Sequence, residues 1–111
     1  MESQELTQLA RRTLLDKKGE NIVVLDIRKL SEFTDFFVLV TGASPPHLKA
    51  LLEEVRQVLK KHGVLVYRTS GDQLGGWMTA DYVDVVIHAM LPATRDFYGI
   101  EALWSQAPRI P

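Results

Sequence analysis

Two short, unbroken apolar stretches constrain the fold of this chain more than any other feature of its sequence. Residues 22–25 read Ile-Val-Val-Leu, and residues 36–40 read Phe-Phe-Val-Leu-Val. A strand with one face in water alternates between apolar and polar side chains, whereas an unbroken apolar strand is covered on both faces. The stretches therefore predict strands at 22–26 and 36–41, in the middle of a sheet with other elements packed on both sides.

The segment that follows the second stretch predicts a sharp boundary between a strand and a helix. Gly42 and Ala43 precede Ser44, a favourable N-cap residue, and Pro45 suits the first helical position. Apolar residues then recur at helical spacing until Gly63. A helix start that follows a glycine can bind phosphate, but the glycine and lysine patterns of known phosphate loops are absent. We interpret the segment as a capped helix start.

The remaining patterns predict a single α/β or α+β domain. We expect a first helix at 3–18, strands at 64–69, 77–81 and 83–90, a loop at 70–76, and a short helix at 95–105. Together with the two apolar strands, these elements form a mixed five-stranded sheet with packed helices. Residues 1–105 are assigned to the domain, and 106–111, with two prolines, to an extended, poorly ordered tail.

Composition excludes several classes of function. Thirteen Lys and Arg against fourteen Asp and Glu give a net charge of −1, which argues against binding to nucleic-acid phosphates or to anionic membranes. The absence of Cys excludes thiolate metal sites and a Cys nucleophile. Because no stretch is long enough to span a bilayer and the N-terminus does not resemble a signal peptide, a cytoplasmic location is the expectation.

Groups suited to catalysis do not occur in a usable arrangement. Asp81 and Asp84 are the only clustered carboxylates late in the chain, and their spacing places them on opposite faces of a regular strand. Asp84 and His88 share a face but stand about 13 Å apart on such a strand. We expect no metal, no cofactor and no catalytic residue. An alternative hypothesis is a Mg²⁺-dependent nucleotidyl transferase that uses the two aspartates. His47 is either a neutral packing or capping residue or a functional one.

Two predicted strands present a mixed aromatic and polar pattern. Alternation places Trp77 and Asp81 on one face of the strand at 77–81, with Met78 on the other. In the next strand, the residues opposite the core face are Tyr82, Asp84, Val86 and His88. If these faces adjoin, they form an aromatic and acidic surface suited to a basic protein partner.

Two of these candidate residues have alternative interpretations. Trp77 could instead pack under the last helix, near Tyr98 and Trp104. Arg95 could form a salt bridge with a nearby carboxylate (Asp84, Asp96 or Glu101), or it could anchor an interface. The spacing alone does not decide between these interpretations.

Several segments, taken together in their order and spacing, resemble the ribosomal silencing factor family, also called the Iojap family. The matching positions are residues 35–44, His47, 71–77, 81–88, Arg95, Tyr98, Glu101, Leu103 and Trp104. The resemblance covers nearly the whole chain, from the first helix to Trp104. It has two departures, since Ser70 stands where the family usually has Glu and Val83 where it usually has Gly.

The resemblance implies a nucleotidyltransferase-like α/β fold without the catalytic carboxylates. It further implies a factor that binds the large ribosomal subunit through ribosomal protein fourteen, sterically blocks joining of the small subunit, and lowers translation when nutrients are scarce. Such factors are commonly homodimers when free, and no membrane or sequence-specific nucleic-acid contact is expected. The implied partner-binding residues are Trp77, Met78, Asp81, Tyr82 and Asp84, with His88 and Arg95 as further candidates. A scaffold that only self-associates is a third hypothesis.

Overall fold

Six strands form one mixed sheet with helices on both faces. The computed structural model describes all 111 residues. In chain order the elements are α1 (Ser3–Asp16), β1 (Glu20–Asp26), β2 (Phe36–Thr41), α2 (Pro45–Lys61), β3 (Arg68–Asp72), β4 (Trp77–Asp81), β5 (Val85–Met90), α3 (Pro92–Tyr98), α4 (Ile100–Leu103) and β6 (Arg109–Ile110). The order across the sheet is β3-β4-β5-β2-β1-β6. The predicted fold class is confirmed, with six strands in place of five.

The two apolar stretches occupy the centre of the sheet, as predicted. β2 and β5 are parallel neighbours, and every other pair of strands is antiparallel. Val38 and Leu39 point to opposite faces of β2, and neither is exposed to solvent. α1 and α2 pack on one face, while α3, α4 and the C-terminal segment pack on part of the other. None of the helices is both long enough and apolar enough to cross a membrane.

The junction between β2 and α2 depends on a glycine and a cap. A Cβ atom on Gly42 would lie 2.7 Å from Leu48 Cδ2, so a larger residue would require the buried Leu48 side chain to shift. The Ser44 hydroxyl accepts a hydrogen bond from the backbone N–H of His47 (3.3 Å), as predicted for an N-cap. His47 Nδ1 accepts from Ala43 N–H (2.9 Å), and its Nε2 donates to the Lys17 carbonyl (2.9 Å). Of the two interpretations of His47, the structure supports a capping role that also ties α2 to the end of α1.

The third strand lies further along the chain than predicted. Val64 and Val66, inside the predicted strand at 64–69, pack against the core without joining a ladder. β3 instead occupies Arg68–Asp72, where every residue is exposed. The prediction at 64–69 is wrong because it followed apolar residues, whereas an edge strand that no helix covers can be entirely polar.

The C-terminal segment is tied to the domain instead of extending as a loose tail. Ile110 pairs with Val24 and Arg109 with Leu25, which makes β6 the edge strand beside β1. The Arg11 guanidinium donates to the carbonyls of Ile110 (3.3 Å) and Pro111 (3.0 Å). The prediction of a poorly ordered tail is therefore wrong. The predicted last helix is also divided into α3 and α4, because Gly99 adopts a left-handed conformation with φ of 55°.

The departure from the family pattern at Val83 falls in a strained turn. Val83 joins β4 to β5 with φ of 73°, in the left-handed region that β-branched residues rarely adopt. Its N–H donates to Asp81 Oδ1 (2.8 Å), and its side chain is half exposed. The fold therefore holds a valine in a conformation that suits glycine.

We predict that Val83→Gly stabilises the protein. Relief of the left-handed conformation contributes about 1–2 kcal/mol, and the extra freedom of glycine in the unfolded chain removes about 0.4–1 kcal/mol. We expect the free energy of unfolding in urea to rise by about 0.5–1 kcal/mol. Val86→Gly, at a position with regular strand geometry, is the matched control and should lower the free energy of unfolding. A loss of stability in Val83→Gly would show that the turn is not strained.

Candidate functional site

The sheet has one region that α1 and α2 do not cover and that α3 and α4 reach only in part. We call it the open face; it comprises the side chains of β3, β4 and β5 that point away from α2. The strand register places residues opposite one another in the pairs Trp77–Met90, Thr79–His88 and Asp81–Val86. The register between β3 and β4 adds the pairs Asp72–Trp77, Ser70–Thr79 and Arg68–Asp81 to this face.

Six rings form a continuous row across the open face and its border. In order they are Trp104, Phe37, His88, Trp77, Tyr98 and Phe97, and successive ring centroids lie 4.8–6.0 Å apart. The contacts between Phe, Tyr and Trp rings in this row each stabilise the fold by about 0.5–1.5 kcal/mol beyond the area they bury. We call this set the aromatic row. It ends at Tyr98 and Phe97, whose side chains are 52% and 81% exposed.

Trp77 occupies the middle of the aromatic row. Its ring centroid lies 4.9 Å from that of Tyr98, and its indole N–H donates to His88 Nδ1 at 3.2 Å. Trp77 thus packs against Tyr98, as the alternative interpretation predicts. Trp104, the other neighbour in that interpretation, has its ring contact with Phe37. Trp77 nevertheless stays half-buried, so that part of its surface belongs to the open face.

His88 is a buried, neutral member of the aromatic row. Because the Trp77 indole can only donate, His88 Nδ1 must accept, and the ring proton of the neutral imidazole lies on Nε2. Nε2 has no hydrogen-bond partner, and the residue is only 9% exposed. Burial lowers the pKa of His88 to about 4. His88 points to the predicted mixed face of β5, but it contributes little surface there because Phe37 and Trp77 enclose the ring.

Tyr82 and Met78 lie on the opposite side of the sheet from Trp77. Tyr82 is buried in the core beneath α2, and Met78 packs against the same core. Grouping Tyr82 with Asp84 and His88 is wrong because the turn at Val83 breaks the alternation of β5. Tyr82 instead continues the alternation of β4 beyond Asp81. Met78 faces the core, as the alternation of β4 predicts.

Arg95 joins α3 to the sheet and to α4. Its Nε donates to the Glu101 carboxylate (2.8 Å), and one terminal nitrogen donates to the Asn21 carbonyl (2.7 Å) and the Thr41 hydroxyl (2.9 Å). The hydrogen bond from Arg95 holds the pKa of Glu101 below its usual value. Arg95 is 8% exposed, so the salt bridge, one of the alternatives left open by its spacing, is the arrangement found.

The two aspartates of the alternative hypothesis are not arranged for metal chemistry. Asp81 accepts from Val83 N–H and pairs with Arg68 (3.4 Å), so both of its oxygens are engaged. Asp84 is exposed at the start of β5. No group of three or more His, Asp or Glu side chains is close enough together to hold a metal ion.

The structure brings together only part of the predicted site. Trp77, Asp81 and His88 share the open face, whereas Met78 and Tyr82 lie on the other face. Sequence analysis missed Phe37 as a member of the aromatic row, because an unbroken apolar run hides which residues face which side. The register between β2 and β5, which pairs Phe37 with Val86, carries that information.

We predict that His88 makes the protein less stable in acid. Its pKa is lower in the folded state than in the unfolded state, so the unfolded chain binds the extra proton as the pH falls below about 6.5. The free energy of unfolding should therefore fall by up to about 3 kcal/mol between about pH 7.5 and about pH 4. Urea unfolding across this range measures the change.

His88→Gln is the control for this prediction, because it keeps an acceptor for Trp77 and removes the titrating ring. The difference in stability between wild type and His88→Gln should narrow or reverse in acid. A constant difference across the pH range would contradict a neutral, buried His88.

Comparison with known proteins places this architecture in a family. The family described as "Ribosomal silencing factor during starvation" matches residues 1–111. The ribosomal silencing factor of Chromobacterium violaceum is 44% identical over 104 residues, which cover 94% of this chain and 85% of that protein. That of Halalkalibacterium halodurans is 34% identical and covers 99% of this chain and 94% of that protein. A crystal structure of a Chromobacterium violaceum protein, 44% identical, superposes with a TM-score of 0.90 over 95% of this chain and 88% of that one. The chain therefore belongs to the ribosomal silencing factor family.

Proposed function

We propose that the protein docks its open face on the large ribosomal subunit, through ribosomal protein fourteen, and thereby blocks association with the small subunit. Translation is repressed in this way when nutrients are limiting. The observation that carries the proposal is the aromatic row, which runs through the one region of the sheet that no long helix covers. The family description supports a ribosomal role for the chain.

The open face has the composition of a protein interface. Trp77 and Tyr98 are partly exposed, held in place by ring contacts, and of the residue types that most often anchor interfaces. Ser70 and Thr79 beside them form a hydrogen-bonded polar strip. A rigid aromatic centre with a polar rim is the arrangement expected where a partner must be recognised without a pocket.

The charges around the open face favour a basic partner. Asp72 and Asp81 lie at the ends of the β3–β4 pairing, and Asp84 is exposed at the start of β5. Arg68 is the only basic residue of β3 and β4 that offsets these negative charges. Acidic groups attract a basic protein surface and repel the phosphates of RNA. We therefore infer contact with a ribosomal protein and no sequence-specific contact with nucleic acid.

The proposed mechanism is steric and needs neither a reaction nor a cofactor. The principal extents of the molecule are 34, 31 and 24 Å, so even its thinnest dimension would separate two surfaces that must touch. A stable interface needs about 800 Å² from each partner, a modest part of the 6630 Å² that this chain exposes. Binding to cytoplasmic ribosomes also accounts for the location expected from the sequence.

The site residues have unequal roles in this proposal. Trp77 and Asp81 contact the partner directly, and Asp84 contributes charge at the border. His88 positions Trp77 through their hydrogen bond. Arg95 fixes α3, which carries Tyr98, and Met78 and Tyr82 support β4 from the other side. Met78 and Tyr82 are therefore not expected to touch the partner.

We predict that Thr79→Arg disrupts binding to the large subunit while Thr69→Arg does not. Both threonines lie on the same hairpin, but Thr79 is on the open face and Thr69 pairs with Ala80 on the opposite side. An arginine at 79 adds bulk and repels a basic partner, so we expect binding to weaken about tenfold or more. Co-sedimentation with separated large and small subunits measures this.

Trp77→Ala should also weaken binding, and the wild type should pellet with large subunits only. Circular dichroism of each variant checks that the fold is intact. If Thr79→Arg pellets like the wild type, the open face is not the docking surface. If the wild type pellets with neither subunit, the ribosomal proposal fails.

We also propose that the free chain forms a homodimer through the exposed edge of β3. An antiparallel pairing of two copies centred on Ser70 places Arg68 of one copy opposite Asp72 of the other, twice by symmetry. Opposite charges that face each other across strands stabilise such a pair by about 0.2–1 kcal/mol each. The edge is polar throughout, so a weak and reversible dimer is expected.

We predict that a charge change at this edge dissociates the dimer. Arg68→Asp places two carboxylates opposite each other and should shift sedimentation velocity towards the monomer. The double variant Arg68→Asp/Asp72→Arg restores opposite charges and should restore the dimer. If the double variant behaves like Arg68→Asp, or if the wild type is a monomer at all concentrations, this interface is wrong.

A further inference from the structure

A cleft lies between α2 and the β3–β4 hairpin, on the side of the sheet opposite the open face. Its volume is about 390 Å³. The apolar part of its lining consists of Leu52, Val66, Met78, Ala80 and Tyr82. Ligand pockets fall between about 300 and 1,000 Å³, so this cleft suits a small molecule rather than a long cofactor.

A buried hydroxyl without a partner lies in this cleft. Tyr82 is 6% exposed, and its phenolic oxygen makes no hydrogen bond. Burial raises the pKa of Tyr82 to about 12, while the charges of Arg56 and Glu53 act on the same group from α2. Tyr82, Arg56 and Glu53 all line the cleft. A protonated phenol in this place can both donate and accept a hydrogen bond.

The rim of the cleft is positively charged in a chain that is slightly negative overall. Lys49 and Arg56 line it against one carboxylate, Glu53, whereas the guanidinium of Arg68, another lining residue, pairs with Asp81 on the open face. Arg56 pairs with Glu53 at 3.5 Å, and Arg68 with Asp81 at 3.4 Å. Both arginines are largely exposed, and exposed pairs of this kind are weak. Lys49 takes part in none of the ion pairs of the structure.

We propose that this cleft binds a small phosphorylated ring compound of the nucleoside monophosphate class. The flat ring lies on the apolar floor between Leu52 and Met78, where a ring heteroatom or hydroxyl pairs with the Tyr82 hydroxyl. The phosphate lies at the rim, within reach of Lys49 and Arg56. An apolar floor, one buried polar group and a cationic rim are the features that bind such a ligand. This site does not depend on ribosome binding, because it occupies the other face of β4.

Titration of the ¹⁵N-labelled full chain tests the proposal, with amide chemical shifts as the readout. The probes are adenosine and uridine monophosphates, with inorganic phosphate and adenosine as separate arms. For a monophosphate we expect saturable shifts at millimolar or lower concentration, confined to α2 and the β3–β4 hairpin. Inorganic phosphate alone and adenosine alone should give weaker shifts. No saturable shift with any nucleotide would overturn the proposal. Equal binding of inorganic phosphate alone would overturn the role of the apolar floor.

Two variants and a matched control locate the site. Tyr82→Phe removes only the hydroxyl and should weaken binding about tenfold, while the melting temperature stays unchanged or rises because no buried polar group is left unpaired. Lys49→Gln should also weaken binding. Lys29→Gln removes an exposed lysine in the 27–35 segment, outside the cleft, and should bind like the wild type.

The outcomes of these variants are distinct. If Tyr82→Phe binds as well as the wild type, the hydroxyl does not contact the ligand and the proposal fails. If Lys29→Gln weakens binding as much as Lys49→Gln, the attraction is general and no site exists. Co-sedimentation of Tyr82→Phe with large subunits should remain at the wild-type level, which separates the cleft from the proposed ribosomal function.

Discussion

The parallel pairing of β2 with β5 is the constraint on which the rest of the structure depends. Two parallel neighbours cannot be joined by a tight turn, so the chain must return to the starting end before β5 begins. α2 and the β3–β4 hairpin make this return. Because both strands bury side chains on both faces, the crossover helix alone cannot cover them, and further elements must pack on the opposite side. α3, α4 and the C-terminal segment meet that need.

The two sides of the sheet are covered unequally, and this inequality creates the open face. α1 and α2 are long helices, whereas the last helical region is short and is broken at Gly99. The Arg95–Glu101 ion pair fixes this region, and the Arg95 bonds to Asn21 and Thr41 attach it to β1 and β2 rather than to β3 or β4. The aromatic row then closes the border between covered and uncovered sheet. The same packing that completes the core thus leaves aromatic surface available to a partner.

Local signals in the sequence predict the centre of this fold and fail at its edges. β2 has the predicted bounds, and the capped start of α2 is confirmed at Ser44, because apolar runs and caps are properties of neighbouring residues. β3 owes its structure to pairing with β4, and β6 owes its structure to pairing with the distant β1; local composition reveals neither. The site shows the same division. Trp77 follows from alternation, whereas the burial of Tyr82 depends on a turn at Val83 that no turn residue announces. The sequence suggests Glu101 as a partner of Arg95, whereas its other partners, Asn21 and Thr41, are distant in sequence.

The use of the three histidines bears on whether binding or catalysis is the better hypothesis. Both ring nitrogens of His47 form hydrogen bonds with backbone groups, and these bonds join α1 to α2. His62 contacts the Val58 carbonyl at the end of α2. His88 is enclosed in the aromatic row, where burial keeps its pKa near 4 and its accepting nitrogen holds Trp77. An acid–base catalyst needs a group that titrates near the working pH and faces its substrate. In this fold His88, the histidine nearest the candidate site, is neutral and holds Trp77 in place through a hydrogen bond. A fixed aromatic side chain is a requirement of binding, not of acid–base catalysis.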